Sequence, residues 1–150
     1  MTKPQKRGDL IPDDDEVVRH VPYRKIIFDQ NENIVGIFPH AYHLRDGETH
    51  LSVSWLNYHS GTRLDRLRGV LVGLRASKDI GAKSALTSGY VLSLKNVAQK
   101  AANVNLRFSY APSVEDKAHS FIHNIKNDDN DLLEALAAEG FTNIKQVRDL

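Results

Sequence analysis

At 150 residues, 41% hydrophobic and 26% charged, the chain suits one globular domain large enough to bury a real core. It contains no cysteine, which excludes disulfides, thiolate metal sites and cysteine nucleophiles. No apolar run approaches the ~20 residues of a membrane helix, and the basic N-terminus lacks the apolar stretch of a secretory signal, so a cytoplasmic protein without membrane contact is expected.

The formal net charge of +1 hides an uneven layout. Between Arg63 and Arg107 nine basic residues are opposed only by Asp65 and Asp79, while acids gather at Asp9–Glu16 and from Glu115 onward. Such asymmetry points to an anionic partner, nucleic acid or nucleotide, for the middle of the chain. Arg63, Arg66, Arg68, Arg75, Lys78, Lys83 and Arg107 would then supply phosphate contacts. The competing reading is a set of solvated faces whose charges interleave once folded.

In chain order, residues 1–15 read as a flexible tail, with Pro4, Gly8, Pro12 and an Asp13-Asp14-Asp15 run and few apolar side chains to offset the entropy of ordering. Residues 16–150 form a single domain. Val17 to Phe28 is rich in β-branched and aromatic residues and reads as one or two strands interrupted at Pro22. A polar turn at Asp29–Asn33 precedes a short strand, Ile34–Phe38.

Next comes Asp46-Gly47, set between two alternating runs, the signature of a β-hairpin with a two-residue turn. That register places Tyr42, Leu44, Leu51, Val53 and Trp55 on one face, and His43 opposite His50 on the other. Opposed Cβ atoms lie ~5 Å apart, so His43 and His50 could share a proton or chelate a metal. Two ligands without a third at recognisable spacing do not make a metal site, and none is expected.

Ser60-Gly61-Thr62 can cap a helix, and Leu64, Leu67, Leu71 and Leu74 recur at helical spacing through Arg75. Gly69 and Gly73 within it each cost ~1 kcal/mol against Ala, and a pair four apart permits close approach of another element. Residues 76–90 read as a loop. Within it, Ser77–Ser84 lacks the glycines of a phosphate-binding loop, though its amides and lysines suit a generic anion nest. Ser93–Ala102 returns to helical spacing, and Val104–Tyr110 alternates as a half-buried strand.

Ser113 and Asp116 resemble a capping box. Ala118, Phe121, Ile122 and Ile125 fit a helix and also a strand. As a helix, the segment would carry Glu115, His119 and His123 on one stripe. Residues 128–139 read as an acidic helix ending at Gly140, and Thr142 as the cap of a last short helix. The fold class expected is α+β: an antiparallel sheet, including the hairpin around Asp46-Gly47, covered by helices on one face. The C-terminal helices, 128–150, dock on it or stand out as an arm for a protein partner.

Three functions compete. The first is a module binding nucleic acid or a nucleotide through the basic centre, with Arg19 on the first strand as a further anion contact. The second is a hydrolase or transferase acting on a phosphodiester or nucleotide, using His20, His43, His50 and His119 as acids and bases, with Tyr42, Ser52 or Ser54 nearby. It requires at least two of these histidines in one concave pocket. The third is an adaptor using the acidic C-terminal helices.

Overall fold

The computed structural model describes residues 3–150 and has the expected α+β class with an antiparallel sheet. Strands β1 (Glu16–Val21), β4 (Leu51–Trp55), β5 (Ala85–Tyr90), β6 (Arg107–Tyr110), β7 (His119–His123) and β8 (Asn143–Gln146) form one sheet in the order β6-β7-β4-β1-β5-β8. β2 (Ile26–Phe28) and β3 (Ile34–Ile37) make a separate two-stranded ribbon. The helices are α1 (Arg63–Arg75), α2 (Val91–Ala102) and α3 (Asn130–Ala135), the last running into a π turn at Leu136–Gly140. Among the described residues no helix is long and apolar enough to cross a membrane.

Strand alternation sorts the side chains into two cores. Val17, Val53, Trp55, Phe108 and Ile122 pack with α2 and α3 on one face. On the other, Val18 and Leu86 pack with Leu67, Val70 and Leu71 of α1. Helix α1 is fixed by a full capping box, Thr62 with Asp65, and its glycines serve as contact points. A Cβ at Gly69 would lie 2.6 Å from His59 Nδ1, and one at Gly73 2.6 Å from Asp116 Oδ1. The helix packs on β1 and β5, and beside its C-terminal end the same face stays open over Ser52 and Ser54 of β4 and His119 of β7.

The two alternating runs around Asp46-Gly47 do not pair. The turn itself forms, with Glu48 N–H donating to Arg45 O at 3.0 Å and Gly47 at φ +83°. Pro39 instead starts a 3₁₀ turn through Tyr42, where the Tyr42 ring stacks on Phe141 at 4.6 Å between centroids. No extended strand is left to face β4, which pairs with β1 and β7. Two long-range neighbours satisfy both of its edges, where a hairpin partner would satisfy one.

Other segments also differ from expectation. The stretch read as a loop, 76–90, contains the inner strand β5, buried on both faces and therefore without alternation. Residues 119–123 are strand, paired to both β4 and β6. The last segment forms edge strand β8 rather than a helix. Leu132, Leu133, Leu136 and Phe141 are fully buried, so 128–150 is part of the core and not an arm. The supposed tail is pinned from Gly8 on: Gly8 N–H donates to Tyr110 O, Ile11 is buried, and Asp15 accepts from Trp55 Nε1 at 2.8 Å.

Candidate active site

The open part of the sheet face forms a cleft of about 260 Å³ beside the C-terminal end of α1. Leu74, Ser77 and Lys78 wall one side, and the loop carrying Ser113 and Asp116 another. Its floor is the sheet, where β1 contributes His20, β4 contributes Ser52 and Ser54, and β7 contributes His119. Register explains the meeting. Val18 lies opposite Ser54, and Ser54 opposite His119; two residues along, the same face carries His20 and Ser52.

His119 is held at both ring nitrogens. Nδ1 lies 2.8 Å from Ala111 O and Nε2 lies 3.2 Å from Ser52 Oγ. A carbonyl only accepts, so Nδ1 carries a proton, and in the neutral ring Nε2 is then the nitrogen that accepts from the Ser52 hydroxyl. A hydroxyl bonded to a neutral imidazole, oriented from behind by an acceptor, is the arrangement that activates a serine nucleophile. Both side chains are only partly buried, as attack on an external substrate requires.

Arg19, Arg45 and Lys78 line the cleft around this pair, and among the described residues none of them makes a salt bridge. Arg19 is 6% exposed, and its guanidinium donates to Ser52 O at 2.8 Å and Ala41 O at 3.3 Å. The first of these replaces a ladder bond, because recorded β1–β4 pairing stops at Val18. Among the described residues the salt bridges are Arg63–Glu16 and Lys95–Asp13, both elsewhere. Burial, then the repulsion of Arg45, pulls Arg19 down to about 10. Burial and the charges of Arg45 and Arg19 likewise lower Lys78. Glu48 and Asp116 also line the cleft. Asp116, however, is spent on its own turn, accepting from Ala118 N–H at 3.1 Å, while its amide donates to Ser113 Oγ. The Ser113–Asp116 pattern thus closes the turn before β7 and caps no helix.

His20 is the fourth basic group. Its Nε2 is buried without a hydrogen-bond partner. Burial, followed by the charges of Lys78, Arg19 and Arg45, pulls its pKa down to about 4, so the free imidazole is neutral at pH 7.

Of the residues singled out from sequence, the fold brings together His20, His119, Arg19 and Lys78. His43 and His50 do not face each other. His43 sits near His40, with centroids 6.4 Å apart, because the turn at Pro39 removed its strand. His50 lies 4.0 Å from the ring of His123, whose Nε2 is 2.6 Å from Ser109 Oγ. Neither lines the cleft, and among the described residues no three potential metal ligands cluster.

The remaining basic residues scatter. Arg63 pairs with Glu16, Arg68 donates to Leu150 O, Arg75 donates to Ile80 O, and Lys83 sits over the Tyr23 ring. Arg66 lies on α1, and Arg107 on edge strand β6. Sequence reasoning missed Arg45 and Asp116 as cleft residues, and it named Ser52 only as one of three hydroxyls near the histidines. The one signal for His119 was the alternation of His119-Ser120-Phe121-Ile122-His123, which a helical reading obscures.

Two other hollows are larger, about 360 and 610 Å³, but one is lined by Arg63 and Lys145 as its only charged groups and the other by Glu134 alone. The small cleft holds the titratable groups and the hydroxyls. No family model matches this chain, and neither a curated protein nor a solved structure matches it.

Proposed function

We propose that the protein is a small hydrolase or transferase acting on an anionic, phosphate-bearing substrate such as a nucleotide or phosphodiester. Ser52 is the nucleophile, and His119 Nε2 accepts its proton. Arg19, Arg45 and Lys78 hold the phosphoryl oxygens and offset the charge that builds on them in the transition state. The observation that carries this reading is the Ser52–His119 contact, with Ala111 O holding a proton on Nδ1, inside a cleft also lined by Arg19, Arg45 and Lys78.

A binding module without chemistry is the second reading, favoured by the buried Arg19 guanidinium itself, which would hold a phosphate whether or not Ser52 reacts. Binding of a long nucleic acid gains less support. Arg63, Arg66, Arg68 and Arg75 lie on α1, whereas Lys95 and Lys100 lie on α2 across the sheet. A cytoplasmic setting, where nucleotides are at hand, fits either reading.

The test is turnover of nucleotides, phosphodiesters and phosphomonoesters by the full chain, with Ser52→Ala and His119→Gln alongside. Each variant should lose 10²-fold or more in kcat. Phosphate affinity without turnover on any substrate would favour the binding module, and turnover unchanged in Ser52→Ala would overturn the assignment of the nucleophile.

A further inference from the structure

Two histidines, His119 and His20, line the cleft with Ser52. His119 meets the Ser52 hydroxyl from β7, and His20 lies on β1 two residues past Val18, where pairing with β4 ends. The two imidazoles are held differently. His119 is tied at both nitrogens, whereas His20 Nε2 is buried and free. His50 Nδ1, His59 Nε2 and Arg66 Nε share this condition, so what sets His20 apart is its place in the cleft among Arg19, Arg45 and Lys78.

The charged groups around His20 decide whether its ring holds a proton. Lys78, Arg19 and Arg45 repel a proton from its ring. The carboxylates of the cleft are Glu48, Glu115 and Asp116. Glu48 accepts from the Arg45 amide, Asp116 is engaged in its own turn, and Glu115 is exposed at the rim. A phosphate seated among the cations would offset their repulsion and so favour a proton on the His20 ring, which lines the same cleft.

We propose that His20 is the second catalytic residue of this cleft, the acid that protonates the leaving group, and that a bound phosphate group is what loads it with its proton. This rests on the assignment of Ser52 and His119 above. In the step, the Ser52 Oγ–P bond forms as the bond from phosphorus to the leaving oxygen breaks. The Ser52 hydroxyl proton passes to His119 Nε2, and the proton on His20 passes to the departing oxygen. An empty cleft would hold no acid, so the site would be armed only when occupied.

Two measurements test it. The first follows the histidine ring resonances of the full chain by NMR from pH 4 to pH 8, with and without saturating inorganic phosphate, His20 being identified by its loss in His20→Asn. The His20 midpoint should rise by more than one pH unit with phosphate, and an unchanged midpoint would overturn the loading. The second compares His20→Asn with the unsubstituted protein on an alkyl and a nitrophenyl phosphodiester. The loss on the alkyl ester, whose leaving oxygen needs the proton, should exceed the loss on the nitrophenyl ester at least tenfold. Equal losses would make His20 a binding group and overturn its role as acid. If instead Ser52→Ala keeps full turnover while the His20 midpoint still rises, the nucleophile assignment has failed and the loading has not.

Discussion

Acidifying the protein should destabilise it through His20, and the size of the effect follows from its surroundings. In the unfolded chain this imidazole titrates near 6.5, and in the fold it is pulled down to about 4 by burial and by Lys78, Arg19 and Arg45. Below pH 6.5 the unfolded state therefore takes up a proton that the folded state refuses, so stability falls as pH drops through that window and levels off below about 4. At 1.36 kcal/mol per pH unit the full gap sets a ceiling of about 3 kcal/mol. His20 is only partly buried and water screens it, so about 1 kcal/mol is expected to survive at pH 4.5. Burial also lowers His40, His59 and His123, and these act in the same direction. The measurement is therefore a difference: urea unfolding at pH 7 and pH 4.5 for the unsubstituted protein and for His20→Asn. The variant should lose about 1 kcal/mol less stability between the two pH values. An identical loss in both proteins would refute the claim that His20 is held neutral by this cleft.

Four further outcomes are expected. Gly89→Ala should cost about 2 kcal/mol or more in urea unfolding, because its Cβ would lie 2.5 Å from the Gly140 carbonyl oxygen, a backbone atom that cannot rotate away. Truncation after Asn127 should yield a chain without cooperative unfolding, since it removes the buried Leu132, Leu133, Leu136 and Phe141, and Leu136→Ala alone should cost about 2–5 kcal/mol. Tyr42→Phe should cost about 1 kcal/mol: the Tyr42 hydroxyl lies 3.0 Å from Thr87 Oγ1, which itself donates to Arg19 O. A Tm unchanged in Tyr42→Phe would show that this buried chain of bonds does not help hold β1 to β5.

Local pattern alone determined a good part of the architecture. The leucine spacing of α1 and its Thr62–Asp65 box, the spacing of α2, the alternation of β6 and the α+β class all rest on contacts within a few residues. So does the Asp46-Gly47 turn, which forms even though its strands do not pair. What local pattern could not decide is which strands become neighbours. β5 lies between β1 and β8 with both faces covered, so nothing in Ala85-Leu86-Thr87-Ser88-Gly89-Tyr90 alternates to announce it. His43 and His50 were matched by a turn whose ladder lost to the partners that β1 and β7 offer β4. Arg19, His20, Ser52, Lys78 and His119 are separated by up to 100 positions in the chain, and they meet because four segments converge where α1 stops covering the sheet. The choice of residues with useful chemistry was legible from their types; their convergence was not, because antiparallel pairing over long separations is settled by the burial of whole faces rather than by any one segment's preference.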